Sequence, residues 1–190
     1  GADLSSQQIV AGGITGALTF AYGTTTAATT DTATVSFTNN GYLAAGATIE
    51  LTIADTLYIA STTPTIAFTS PGTDAAATTA WDSATSKLSF TLTNALLEDQ
   101  TVVFTVADVR TPASVTAGTN TVSVITYSDG TIAATNIVDS TTAGGADLSS
   151  QQIVAGGITG ALTFAYGTTT AATTDTATVS FTNNGYLAAG

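Results

Sequence analysis

The first 46 residues of the chain recur letter for letter as residues 145–190, which sets an internal period of 144 residues. A repeat of this length copies whole domains, because the units of stacked solenoid proteins run only about 20 to 50 residues. The chain therefore spans one full period and an overlap into the next. Duplication of an entire domain suits fibres, stalks and adhesins, which gain length with every copy, better than it suits enzymes.

Apolar and polar residues alternate along most of one period. In residues 33–38 and 47–53 every second residue is apolar, and the residues between are Thr, Ser or Glu. This period of two places one face of a strand in a core and the other in water. The same pattern predicts further strands at Leu18 to Tyr22, Ile66 to Phe68, Leu88 to Leu92, Val102 to Val106, Val122 to Tyr127 and Ile132 to Val138.

Turn-forming residues separate these runs, for example Asn39-Asn40-Gly41, Ser70-Pro71-Gly72 and Ser128-Asp129-Gly130. Such residues tolerate positive φ or bond to their own backbone. The last of them predicts a hairpin between the final two strands. About eight short strands at this spacing, without a long helical pattern, predict an all-β antiparallel sandwich.

The composition argues against an enzyme. The chain has no Cys, His or Met, and its cations are Lys87 and Arg110 alone. The commonest general base, the commonest metal ligand and the thiolate nucleophile are therefore all absent. We expect no catalytic residues, no cofactor and no disulfide framework, so the fold has to depend on its core.

The net charge of −11 limits the partners that the chain can bind. Such an acidic surface repels nucleic acid and anionic lipid. The sequence contains no run of 18 apolar residues, so no membrane insertion is predicted for it. The carboxylates are scattered singly, which indicates solvated surface charge. Calcium bound at a domain junction is the alternative, although no DxDxDG-type loop is present.

Two segments carry a resemblance to a known family. TATVSFTNNGYLAAGATIELTI and KLSFTLTNALLEDQTVVFTVADVRTPASVTAGTNTVSVITYSDGTI resemble the Thr/Ala/Gly-rich immunoglobulin-like tandem repeats of large secreted or cell-surface proteins. These repeats occur in bacterial adhesin-like and protist mastigoneme-like proteins, and the similarity covers residues 17–139. The resemblance implies an immunoglobulin-like β-sandwich with a structural or adhesive role, extracellular or at the cell surface. It supplies no catalytic residues.

These patterns divide the chain into four parts. Residues 1–16 are predicted to be a connector from a preceding repeat, 17–139 a complete sandwich, 140–160 a second connector, and 161–190 the first two strands of the next repeat. The connectors are richer in Gly, Ser and Gln, but they also contain apolar residues that a flexible linker would lack. We expect these to be buried against neighbouring domains or subunits: Ile9, Val10, Ile14, Leu148, Ile153, Val154 and Ile158.

Two functions remain open from the sequence. The first is the structural repeat of an extracellular homopolymeric filament, stalk or appendage, in which identical repeats or copies of the chain join in a linear or helical polymer. Its connectors dock on flanking domains or add a strand to a neighbour. The second is a spacer or carbohydrate-binding domain of a large surface adhesin, where Trp81 would contact the sugar; a core position for Trp81 is the alternative. Abundant Thr and Ser allow O-glycosylation, whereas no Asn-X-Ser/Thr sequon is present.

Overall fold

A computed structural model describes residues 11–53, 58–72, 74–112, 121–141, 146–147 and 154–184. Within these residues the chain forms β-strands, one turn of 3₁₀ helix at Ala134–Asn136 and no α-helix. The strands are β1 Gly12–Gly13, β2 Thr15–Tyr22, β3 Thr30–Thr38, β4 Thr48–Ile53, β5 Tyr58–Ile59, β6 Ile66–Ser70, β7 Ala76–Asp82, β8 Lys87–Leu92, β9 Thr101–Arg110, β10 Thr121–Tyr127, β11 Ile137–Ser140, β12 Ala146–Asp147, β13 Thr159–Tyr166 and β14 Ala177–Thr182. The predicted all-β class is confirmed.

The strands form two larger sheets and a separate hairpin. The first sheet has the order β1-β11-β10-β4-β8-β7, and β12 also pairs with β10. The second has the order β2-β3-β9-β5, and β6 also pairs with β9. Neighbouring strands are antiparallel, except that β1 runs parallel to β11. Strands β13 and β14 pair with each other.

One hydrophobic core lies between the two larger sheets. The alternating residues of β3 and β9 contribute from one side, and those of β4, β8 and β10 from the other. Aromatic rings join the two sides, with the centroids of Phe90 and Phe104 5.1 Å apart and those of Phe68 and Phe90 6.0 Å apart, in edge-to-face geometry. The two sheets therefore form a sandwich, whose stability comes from apolar area removed from water.

The strand pairings place the two ends of this sandwich. Strand β2 begins at the end of the sandwich where β3 finishes at Thr38 and runs toward the opposite end. Strand β11 runs parallel to β1 and finishes at Ser140. We call the end next to Asn40 and Gly12 the upper end. The lower end contains the β2–β3 loop and the start of β10 at Thr121. The chain therefore enters the sandwich at the upper end and leaves it at the lower end.

The hairpin β13–β14 reproduces β2–β3 of the first copy. Its register, Phe164 with Val179 and Thr159 with Thr182, is the register of Phe20 with Val35 and Thr15 with Thr38, including the irregularity between the two pairs. Identical sequences thus adopt identical strand pairing in both places. The difference is that β3 also pairs with β9, whereas within the described residues β14 has no second strand beside it.

Two strand predictions were incomplete. The predicted strand at Ile132 to Val138 begins only at Ile137, because Asp129 and Asn136 close a wide turn that includes the 3₁₀ helix. The Asp129 carboxylate accepts hydrogen bonds from Thr131 N at 2.7 Å and Asn136 Nδ2 at 3.1 Å. Strand β7, with the sequence AATTAWD, was not predicted because Ala and Thr give no clear alternation.

Candidate inter-repeat interface

The upper end of the sandwich is organised around the carboxylate of Asp139, a buried residue on β11. One oxygen, Oδ2, accepts hydrogen bonds from Asn40 N at 3.0 Å and Gly41 N at 2.9 Å. Gly12 packs against the same group, since a Cβ on Gly12 would overlap Oδ1 of Asp139 and lie 2.9 Å from Asn40 Nδ2. Ile14 N donates to Ser140 O at 3.0 Å, so the chain that enters the sandwich is hydrogen-bonded to β11, its last long strand.

At the lower end, Thr111 holds the β2–β3 loop in a fixed shape. Its hydroxyl accepts a hydrogen bond from Thr29 N at 3.0 Å and contacts the carbonyl oxygen of Thr26. Ala28, which has a positive φ of 53°, donates its N–H to Pro112 O at 2.8 Å. The backbone of this loop is therefore held by Thr111 and Pro112, which directly follow β9.

The second connector is bonded to this lower end in two places. Just after the sandwich, β12 pairs with the first residues of β10, in register Asp147 with Thr121. Further along, Val154 forms a parallel bridge with Thr26 of the β2–β3 loop. Val154 N donates to Thr25 O at 2.8 Å, and Ala27 N donates to Val154 O at 2.7 Å. The connector adds short strands to the domain that precedes it.

The structure places only some of the predicted contact residues. Ile14 packs half-buried against the core of its own sandwich. Val154 and Ile158 are 47% and 63% exposed within this chain, and Val154 contacts the preceding domain through its backbone. Their burial against a further domain or subunit stays a prediction. The others lie outside the described residues: Ile9, Val10, Leu148 and Ile153.

Trp81 lies in the sandwich and not on an open surface. Its side chain is 8% exposed and belongs to the core cluster, which leaves little of the ring for stacking on a sugar. Beside it is a cavity of about 200 Å³, which is lined by Trp81 together with Asp82 and Lys87. Hydrogen bonds from Thr85 Oγ1 and Ala84 N hold the pKa of Asp82 below its ordinary value.

The same cavity borders a buried ionic group. Lys87 Nζ lies 3.0 Å from Oε1 of the buried Glu50, and Tyr127 Oη donates to that oxygen at 3.3 Å. Burial and the negative charge of Glu50 raise the pKa of Tyr127 to about 12. Because Lys87 neutralises Glu50 and Tyr127 is a neutral donor, this arrangement serves to satisfy a buried carboxylate.

Sequence reasoning missed the residues that form the junction itself. Gly12, Thr26 and Thr111 carry no charge or aromatic ring. Gly12 and Thr26 act through their backbone, and the Thr111 hydroxyl acts on a loop that is distant in sequence. Asp139 gave one available signal, since it is a carboxylate directly after the apolar pair Ile137-Val138 of a predicted strand. A buried carboxylate needs donors, and the neighbouring turn at Asn40 and Gly41 supplies them.

Comparison with known proteins gives no assignment, because no protein-family model, no curated protein and no solved structure matches the chain. Across the described ranges, no group of three or more His, Cys, Asp or Glu residues is arranged to hold a metal ion. The part of the chain that the structure covers also has no helix of the length and apolarity needed to cross a bilayer.

Proposed function

We propose that the chain is the structural repeat of an extracellular homopolymeric filament, stalk or appendage, built from immunoglobulin-like sandwiches joined end to end. The observation that supports this most is the position of the two connectors. The incoming chain pairs with β11 at the upper end, while the outgoing chain pairs with β10 and the β2–β3 loop at the lower end. Each added period therefore lengthens the molecule along the strands.

The arrangement suits a mechanical role. Tension applied through the two connectors runs along the strands, so it loads the hydrogen bonds between β1 and β11 and between β10 and β12 in shear. Several bonds loaded together have to break before the sandwich opens. The core between the sheets provides the remaining resistance, and no disulfide contributes because the chain has no cysteine.

The surface composition agrees with an extended polymer. Thr side chains are exposed on parts of the outer surface, for example Thr30, Thr32 and Thr34 of β3, and the net charge of −11 keeps copies apart laterally. A polar, acidic, β-rich exterior remains soluble while the axial contacts are made by backbone groups. The same exposed hydroxyls are the positions where O-linked sugar would be attached in an extracellular filament.

Electron microscopy of chains with two, four and eight periods tests the proposal. A ten-residue strand such as β9 spans about 33 Å, so each period should add a constant length of about 4 nm including its connector. Threads whose contour length grows linearly with the number of periods are expected. Discrete globular particles, whose longest dimension does not follow the number of periods, would overturn the filament.

A further inference from the structure

We infer that successive repeats are coupled by a rigid joint, in which one unbonded residue separates the hydrogen-bonded contacts to the two neighbouring sandwiches. The inference rests on the proposed end-to-end array and adds how one repeat recognises the next. The binding surface is the β2–β3 loop, residues 24–29, and its partner is the connector segment that contains Val154. The second connector shows the contact to the preceding sandwich, and the first connector shows the contact to the following sandwich.

The contact to the preceding sandwich is visible at the second connector. Val154 is held by two backbone hydrogen bonds of 2.7 and 2.8 Å to Thr25 and Ala27. Gly156 follows two residues later, and a Cβ there would lie 3.2 Å from Thr26 Cγ2. The connector therefore approaches the loop closely over three residues, and the contact is made by its backbone.

The contact to the following sandwich is visible at the first connector. Gly12 is the residue equivalent to Gly156, one period earlier, and it begins β1, which pairs in parallel with β11. Its backbone lies against the carboxylate of Asp139 and the side chain of Asn40. Ile14 continues the pairing through Ser140.

The two halves fit together because they share a contact. Gly12 lies beside Asn40, and Gly156 lies beside Asn184, which is the equivalent of Asn40 one period later. A Cβ built on Gly156 would be 3.6 Å from the Cβ of Asn184. The connector thus passes next to the same asparagine in both copies. Combining the halves leaves Ala155, equivalent to Ala11, as the one residue between the bonds to the two sandwiches.

A single free residue gives two adjustable backbone dihedrals, whereas a flexible linker of many residues behaves as a random coil. Rotation between repeats would also press Gly156 against Thr26 or Asn184. The array should consequently behave as a rod with a fixed angle between neighbours and not as beads on a loose string. Glycine is favoured at this position, because a Cβ would lie 3.2 Å from Thr26 Cγ2 at Gly156 and would overlap Asp139 Oδ1 at the equivalent Gly12.

Distance measurements on a chain extended by one further period, so that the sandwich after the joint is complete, test the joint. The chain has no cysteine, so Ser83→Cys and Ala161→Cys place one spin label on the first sandwich and one beyond the joint. A single narrow distance distribution is expected. Val154→Pro removes the N–H that bonds Thr25 and should broaden the distribution roughly twofold or more, while the matched control Val154→Thr, which keeps the N–H, should not.

Gly156→Val is a second variant that acts by bulk and should shift or broaden the same distribution. The midpoint temperature for thermal unfolding of the first sandwich should be unchanged in all of these variants, because positions 154 and 156 are outside its core. A broad distribution in the parent chain, or Val154→Pro and Val154→Thr behaving alike, would overturn the rigid joint. Flexible threads in the electron microscope would contradict the rigid joint but not the proposed filament, whereas globular particles would contradict the filament itself.

Discussion

Phe20 and Phe164 occupy the same position of the period, yet the first is 2% exposed and the second 58%. Phe20 packs in the core, where removing a ring costs about 3 to 5 kcal/mol. We therefore expect Phe20→Ala to lower the free energy of unfolding by that amount. Phe164→Ala, with the same neighbours in sequence, should change it by no more than about 0.5 kcal/mol.

Urea unfolding of the 190-residue chain measures both values, and each variant is the control for the other. Equal losses in the two variants would contradict the structure, because they would mean that both rings are packed in comparable cores. The comparison removes intrinsic strand propensity from the result, since the flanking residues are identical in the two copies.

Tyr127 makes stability depend on alkaline pH. Its pKa is raised to about 12 by burial and by the charge of Glu50, so the folded state retains the phenolic proton above pH 10, where the unfolded chain releases it. The stabilisation is complete below pH 10 and is lost as pH rises toward 12. The free energy of unfolding should fall by up to about 1.4 kcal/mol per pH unit from this one group.

Urea unfolding between pH 8 and 11.5 checks this expectation. Tyr127→Phe should have a shallower decline than the parent chain over the alkaline half of the range. Tyr42→Phe, at an exposed position, should follow the parent. If Tyr127→Phe also followed the parent, the hydrogen bond to Glu50 would not influence the titration.

Burial of the apolar side chains was predictable where polar and apolar residues alternate, but the prediction of a solvent-facing polar side was wrong for β4, because Thr48 and Glu50 are buried as well. Val35 and Ile49 were assigned to the core face from the period of two, and both are fully buried. Asp139 and Thr111 were not predicted to be interior because their burial is stabilised by specific donors and acceptors contributed by distant segments. Such partners become neighbours only through the topology.

At the scale of elements, β3 and β14 have the same sequence over Ala33–Thr38 and Ala177–Thr182 but different neighbours. β3 lies between β2 and β9, whereas β14 pairs with β13. A two-stranded hairpin is marginally stable in water. Amide hydrogens of β14 should exchange roughly 100-fold or more faster than their equivalents in β3.

Hydrogen exchange followed by NMR gives this comparison residue by residue, because the intrinsic exchange rates of identical sequences are the same. Val35 and Val179 form the most direct pair, since both are central in their strands. Equal protection at the two valines would show that β14 is as strongly covered as β3, which would contradict the pairing described above.

Elements with strong alternation, such as β4 and β8, were predicted closely, whereas β1 and β11 were not. β1 is two glycines with no side-chain pattern, and its parallel pairing with β11 joins residues more than a hundred positions apart. The wide turn before β11 likewise depends on Asp129 and Asn136 meeting across seven residues. Local periodicity carries no information on such contacts.

For the whole molecule, the sequence identified the repeat, while the direction of the chain through the sandwich needed the structure. The duplication of residues 1–46 is visible by inspection. Whether a duplicated domain extends a thread or folds back depends on where its connectors emerge. Their emergence at opposite ends follows from the pairing of β1 with β11 and of β12 with β10, and neither pairing has a sequence signal.

In the proposed filament, the charge of the molecule should control lateral association of threads. The net charge is −11 at neutral pH, and the isoelectric point is about 4.1. As pH falls toward this value the carboxylates are neutralised, and repulsion between neighbouring threads disappears. Light scattering should therefore rise steeply between pH 5 and about pH 4 and return to its initial value when the pH is restored to 7.

Salt provides the control for this prediction. At pH 7, raising the ionic strength to about 1 M shortens the screening length to about 3 Å, so repulsion weakens while the carboxylates stay ionised. Partial association at high salt and full association near pH 4 are expected if charge keeps threads apart. Scattering that stays flat through both changes would mean that lateral separation depends on the hydroxyl-rich surface and its hydration instead of on the acidic groups.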